Sequence, residues 1–203
     1  GMSESFRHRF KLLETLSQGR HGKVVLAKDN KRGQRVALKL LTTATIETDS
    51  GLLKLAHPNL VRTLEVGRDW VCMELLEGVT LQQKMSSSPP GLVECLNIGA
   101  AVANGLAYLH GENHLHLDLK PSNIFLCHDQ AVKLLDIGSS GDQLEAHCTP
   151  LYAAPEVLGF RHGEVDGRAD LFSLGVVLYH LLSNRVDIEK LREDTLLQST
   201  GIV

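Results

Sequence analysis

The stretch His114-Leu115-His116-Leu117-Asp118-Leu119-Lys120-Pro121-Ser122-Asn123-Ile124-Phe125 decides the fold. It follows a segment of helical apolar spacing and runs into an apolar stretch, so it forms a loop between a helix and a short hairpin. Inside it, Asp118, Lys120 and Asn123 set an acid, a cation and an amide at fixed spacing. Phosphoryl transfer uses such a set. The acid aims the attacking hydroxyl, the cation meets the charge on the moving group, and the amide oxygen helps to hold a metal. The plainer alternative is a polar loop that caps a core helix.

Upstream of the loop, Leu92, Cys95, Leu96, Ile98, Val102, Leu106 and Leu109 recur at steps of three and four. That spacing predicts an amphipathic helix from Leu92 to His110. Downstream, residues 124–126 and 131–135 form a hairpin around His128-Asp129-Gln130, followed by Asp136-Ile137-Gly138. A carboxylate at a strand end, beside a glycine that frees the backbone, can coordinate a Mg²⁺ that bridges phosphates. Nearer the amino terminus, Leu16-Ser17-Gln18-Gly19-Arg20-His21-Gly22-Lys23-Val24 reads as a tight turn opening into a strand. Glycines there let backbone N–H groups approach phosphates without a Cβ in the way.

Arg35-Val36-Ala37-Leu38-Lys39-Leu40-Leu41 alternates, which puts Lys39 on the face opposite Leu38 and Leu40. On its own, that favours a solvated strand lysine. Leu52, Leu53 and Leu55 give the apolar side of a short helix ending at Pro58. Residues 60–66 and 70–76 are two strands joined by Gly67-Arg68-Asp69, and Ser86 to Gly91 is a loop.

Taken together these motifs resemble the eukaryotic-type Ser/Thr protein kinases. The central loop is similar to the family's His-Arg-Asp-Leu-Lys-x-x-Asn, with Leu117 in place of the arginine. The glycine turn matches at Gly19, Gly22 and Val24, with Ser17 at the first glycine position. Val36-Ala37-Leu38-Lys39 matches Val-Ala-x-Lys, and Asp136-Ile137-Gly138 matches Asp-Phe-Gly. Thr149 to Glu156 ends in Ala-Pro-Glu, and Arg168 to Tyr179 resembles the helix beneath the catalytic loop. The likeness spans residues 10 to 185, with the motifs in the family's order.

The resemblance implies an α+β, two-lobe fold. Residues 1–76 form a small antiparallel-sheet lobe, and residues 77–203 a shortened, mainly helical lobe lacking most of its last helices. It implies ATP and Mg²⁺ as cofactors and a protein as substrate. By the same resemblance Asp118 orients the acceptor hydroxyl and Lys120 steadies the γ-phosphoryl group, while Asn123 and Asp136 hold the metal. Leu16, Ser17, Gly19, Gly22, Val24, Ala37, Lys39, Met73, Glu74, Leu76 and Phe125 line the nucleotide, with Met73 at the gatekeeper position. Glu47, with Asp49 as fallback, is the acid available to Lys39, although the stretch between Lys39 and His57 is short for this family.

By the same resemblance, Thr149 together with Lys120 favours Ser/Thr over Tyr specificity. Ser139, Ser140 and Thr149 are candidate phosphosites, and Leu117 removes the arginine that would meet such a phosphate. Asp170 is expected to bond the backbone of the catalytic loop, or else to cap its own helix. A kinase-shaped binding module with little or no transfer is the alternative function. It draws on Ser17, Leu117 and the shortened segments.

In the 203 residues, 43% are hydrophobic and 22% charged, and the net charge of -3 gives no general affinity for nucleic acid or an anionic membrane. Apolar runs such as Leu174 to Leu178 are too short to span a bilayer, and the amino terminus has no apolar signal region. The scattered Cys72, Cys95, Cys127 and Cys148 suit reduced thiols in a cytoplasmic protein. With the last helices missing, Leu171, Leu174, Leu178 and Leu181 would be thinly covered, favouring self-association or a partner. Ile188 to Arg192 could add one short closing helix.

Overall fold

The computed structural model describes residues 3–19, 22–41, 50–137, 149–160 and 163–183. Glu47, Asp49, Gly138, Ser139, Ser140, Cys148 and the segment Ile188 to Arg192 lie outside them. The chain divides into two compact units: Gly1–Ala56 with Val61–Glu77, and His57–Leu60 with Gly78–Val203. The boundary thus falls after Glu77 rather than Leu76, and four residues of the first half belong to the second unit.

The first unit is a five-stranded antiparallel sheet in the order β1-β2-β3-β5-β4, with β1 (Phe10–Gly19), β2 (Gly22–Asp29), β3 (Gln34–Leu41), β4 (Thr63–Val66) and β5 (Trp70–Glu74). Strict alternation along β2 and β3 buries Val25, Ala27, Val36, Leu38 and Leu40 on one face, with Cys72, Phe6 and Phe10. The residues expected to form a short helix before Pro58 make only a 3-10 turn, Ser50–Lys54, with Leu55 buried and Leu53 exposed.

A helix the sequence pattern did not indicate, α1 (Glu4–Arg9), precedes β1. Six residues are too few to hold a helix in water. Here the Ser3 hydroxyl accepts from the Phe6 N–H, and Phe6, Phe10 and Trp70 pack ring to ring at 5.0, 5.2 and 6.0 Å. Gly67 makes room for the indole, because a Cβ there would sit 2.1 Å from it.

Arg9 lies over the Phe10 ring and clamps two carboxylates, Asp29 at 3.1 Å and Glu65 at 2.7 Å, which Arg32 also bridges. Burial alone would push the Asp29 carboxyl up. Hydrogen bonds from Arg9, Arg32 and the Lys31 N–H outweigh it and hold Asp29 at about 2, below its ordinary 3.8. The Arg9 hydrogen bonds, against burial, likewise hold Glu65 at about 2 rather than 4.5.

The second unit contains β6 (Gly78–Thr80), α2 (Leu81–Ser87), α3 (Leu92–Gly111), β7 (Ile124–Cys127), β8 (Val132–Leu134) and α4 (Gly167–Ser183). The hairpin β7–β8 gains β6 on its other edge, an addition not foreseen from the sequence. Gly78 is required there: its φ is +151°, and a Cβ would fall 2.0 Å from the Leu126 carbonyl oxygen. Helix α2, capped by Thr80 and Gln83, runs through Ser86 and Ser87, so the expected loop starts later.

Helix α3 is long and apolar enough to cross a membrane by length and composition. In this unit Cys95, Ile98, Val102, Leu106 and Leu109 are core residues. A Leu178 methyl from α4 lies 2.8 Å from where a Gly99 Cβ would be, so the small residue permits the close helix contact. Of the four leucines expected to be thinly covered, Leu174 and Leu181 are buried and Leu171 is exposed. Tyr179 and Leu182 are the other large exposed apolar residues of α4. The four-residue insert from the first half is held by β8. Asn59 Nδ2 donates to the Val132 carbonyl at 2.9 Å, and the Leu134 N–H donates to the Asn59 carbonyl at 2.8 Å.

Asp170, fully buried in the first turn of α4, does not cap its own helix. Its Oδ1 accepts the Leu117 N–H at 2.8 Å, and its Oδ2 accepts the His116 N–H at 2.9 Å and faces His110 Nε2 at 2.8 Å. Gly167 allows the His110 ring this close, since a Cβ there would meet it at 2.7 Å.

Two expectations follow. Asp170→Ala leaves the two loop N–H groups without their acceptor, at about 1–3 kcal/mol each, and a fall in the urea midpoint with an unchanged slope measures it. For the acidic clamp the folded values lie below the unfolded ones, so its contribution is complete above the unfolded values and is lost as pH falls from about 4.5 to about 2. Arg9→Met flattens that acid limb and costs about 1–2 kcal/mol at neutral pH, because Arg32 stays on both carboxylates, read by thermal melts across a pH series.

Candidate active site

The loop after α3 is shaped by its buried members. Leu119 and His116 are fully buried, and Pro121–Asn123 forms one 3-10 turn leading into β7. His116 Nδ1 accepts the Asp118 N–H at 3.2 Å, and its Nε2 donates to the Leu135 carbonyl at 2.7 Å. That pair of partners requires a neutral ring with its proton on Nε2. The imidazole therefore acts as a strut between the loop and the end of β8. Leu117 takes a φ of 64°, in the left-handed region, and Asp170 holds it there.

Asp118, Lys120, Asn123 and Thr149 come together. The Thr149 hydroxyl donates to Asp118 Oδ1 at 2.8 Å and accepts from Lys120 Nζ at 2.7 Å. Lys120 Nζ is 3.5 Å from Asp118 Oδ2. Asn123, buried, donates through Nδ2 to the Asp118 carbonyl at 2.8 Å and, more weakly, to Oδ2 at 3.4 Å. With the amide nitrogen spent in this way, Asn123 Oδ1 is the atom left to meet a cation. Asp136 follows β8 in the left-handed region, with φ 48° and an exposed side chain.

The segment carrying Thr149 is fixed from beneath. The Tyr152 and Ala153 N–H groups donate to the Thr149 carbonyl at 3.0 and 3.1 Å, and the Ser173 hydroxyl of α4 donates to the Tyr152 carbonyl at 2.6 Å. Burial pushes the Tyr152 phenol up and the His180 imidazole beside it down. Sequence reasoning took Thr149 and Lys120 together only as a cue to specificity, and missed the bonds of the Thr149 hydroxyl to both Lys120 and Asp118. It also missed the contributions of His110 and His116, whose only signal was their spacing from Asp118.

In the first unit, strand register decides which side chains share a face. Val24 pairs with Lys39, and Lys39 with Val71; Leu26 pairs with Ala37, and Ala37 with Met73. These two rows lie on one face, opposite the core, so Val24, Ala37, Lys39 and Met73 are gathered as the alternation required. Ser17 pairs with Val24, while Leu16 sits at a bulge and is exposed. Gly19 and Gly22 pair at the end of the β1–β2 ladder. Gly22 has φ +132°, and a Cβ there would collide with the Leu40 carbonyl, whereas Gly19 has open space. Glu74 ends β5 with both its N–H and its carboxylate tied to the backbone of Arg62. Leu76 is half-buried just beyond it. Phe125 is a half-buried residue of β7 in the second unit, opposite Thr80 and Lys133.

Comparison with known proteins agrees with this architecture. The family model described as protein kinase domain matches residues 10–200. Sperm motility kinase 2B of Mus musculus is 32% identical over 92% of this chain and 42% of its own length. Serine/threonine-protein kinase pkn2 of Myxococcus xanthus is 31% identical over 89% of the chain and 25% of its own length. CBL-interacting protein kinase 16 of Oryza sativa subsp. japonica is 32% identical over 86% and 43%. The chain spans less than half the length of these relatives. Its antiparallel five-stranded unit and its helical unit make an α+β protein-kinase fold, and the chain belongs to the protein kinase family.

Proposed function

We propose that this chain is an ATP- and Mg²⁺-dependent Ser/Thr protein kinase that transfers the γ-phosphoryl group to a protein hydroxyl. The observation that carries the reading is the hydroxyl of Thr149 held between Asp118 and Lys120. A carboxylate that accepts a bond from one hydroxyl can orient another. The ammonium beside it stands where charge on a transferred phosphoryl group would be met.

In this reading Asp118 orients the acceptor hydroxyl and takes its proton late in transfer. Lys120 steadies the γ-phosphoryl oxygens. Lys39 anchors the nucleotide, against the face built by Val24, Ala37 and Met73. Mg²⁺ would neutralise the phosphates. Asn123 Oδ1 and the exposed Asp136 carboxylate would be the chain's contributions to it, with phosphate oxygens and water completing the shell. The residues fit this use, because the Asn123 amide is turned by its bond to Asp118, and the Leu135 N–H just before Asp136 donates to the Asn123 carbonyl at 2.9 Å. Catalysis then rests on positioning and charge rather than on a covalent intermediate.

The second reading, a kinase-shaped binding module, is favoured by Ser17 at a glycine position and Leu117 at an arginine position. It keeps the nucleotide and loses the transfer.

Asp118→Asn is expected to lower kcat by about 10² to 10⁴-fold while ATP still raises the melting temperature. Lys39→Met is expected to abolish most of that ATP-induced shift. A radiolabel transfer assay, paired with thermal-shift titrations with and without Mg²⁺, checks both. Wild-type protein that is stabilised by ATP and transfers nothing identifies the binding module instead.

A further inference from the structure

Leucine at position 117 does more than remove an arginine. Its N–H is fixed on Asp170, and its side chain packs against the buried cluster Ala153, Ala154, Val157 and Ala169, together with Leu158 and Phe172. Three alanines leave room for a branched apolar side chain, and a guanidinium in that place would bring charge into an apolar cluster. The cluster is continuous with the reactive group through the backbone: the Ala153 N–H donates to the carbonyl of Thr149, whose hydroxyl lies on Asp118 and Lys120.

We propose that Leu117 is a positioning residue. Its apolar contact seats residues 149–157 so that Thr149 stays between Asp118 and Lys120. The consequence for rate rests on the kinase reading above. The contact itself does not, so it is tested with a measurement that needs no transfer.

Hydrogen exchange is followed at the amides of residues 149–157, with those of α3 as internal reference. Leu117→Ala is expected to speed exchange in 149–157 by about tenfold and to leave α3 unchanged. Leu117→Met, which nearly conserves volume, is expected to restore slow exchange. In the transfer assay the alanine variant is expected to lower kcat and raise KM for an acceptor peptide, with KM for ATP held.

Two results overturn the proposal: unchanged exchange at 149–157 in the alanine variant, or a rise shared equally by α3. If the wild type transfers nothing, the kinase reading fails, and the exchange measurement still decides the role of Leu117.

Discussion

One fully buried carboxylate organises the second unit. A charge without water must be surrounded by donors, and Asp170 finds them in two loop N–H groups and a histidine. Because those donors belong to residues 116 and 117, the carboxylate sets the backbone just ahead of Asp118. The left-handed conformation of Leu117 follows from this. So does the seating of His116, whose ring then reaches both Asp118 and Leu135. The geometry of the Asp118 carboxylate is thus determined by a side chain more than fifty positions away.

The first unit solves a different problem. A short helix with little intrinsic stability is held against a sheet by three aromatic rings and by an arginine that links two strands. Here the charges are only partly shielded, and two arginines share two carboxylates, so neither anion is left alone. Its opposite face is thereby free to carry Val24, Ala37, Lys39 and Met73.

What could be read from the sequence was what lies close together in it. Asp118, Lys120 and Asn123 stand within six residues, and the two-residue period of β3 placed Lys39 opposite its core neighbours. Asp170 was legible only through the resemblance of Arg168 to Tyr179 to the family's helix, and the structure chose loop anchoring over helix capping. Helix α1 was not legible: six residues hold no full apolar period, and the partners of Arg9 lie on strands far along the chain. Strand β6 is three residues long and owes its existence to the edge of β7. The burial of Leu174 and Leu181 escaped prediction for a further reason. A helix that is apolar around most of its circumference does not announce which side is packed.

The placement of His57 to Leu60 bears on how the protein can be divided. The chain leaves its amino-terminal unit, lends four residues to the other, and goes back before finally departing after Glu77. Severing it at that last crossing would take Asn59 away from Val132 and Leu134, stripping β8 of its neighbour and Tyr108 of the ring stacked on it. The carboxy-terminal piece expressed by itself would begin life with an unfinished edge.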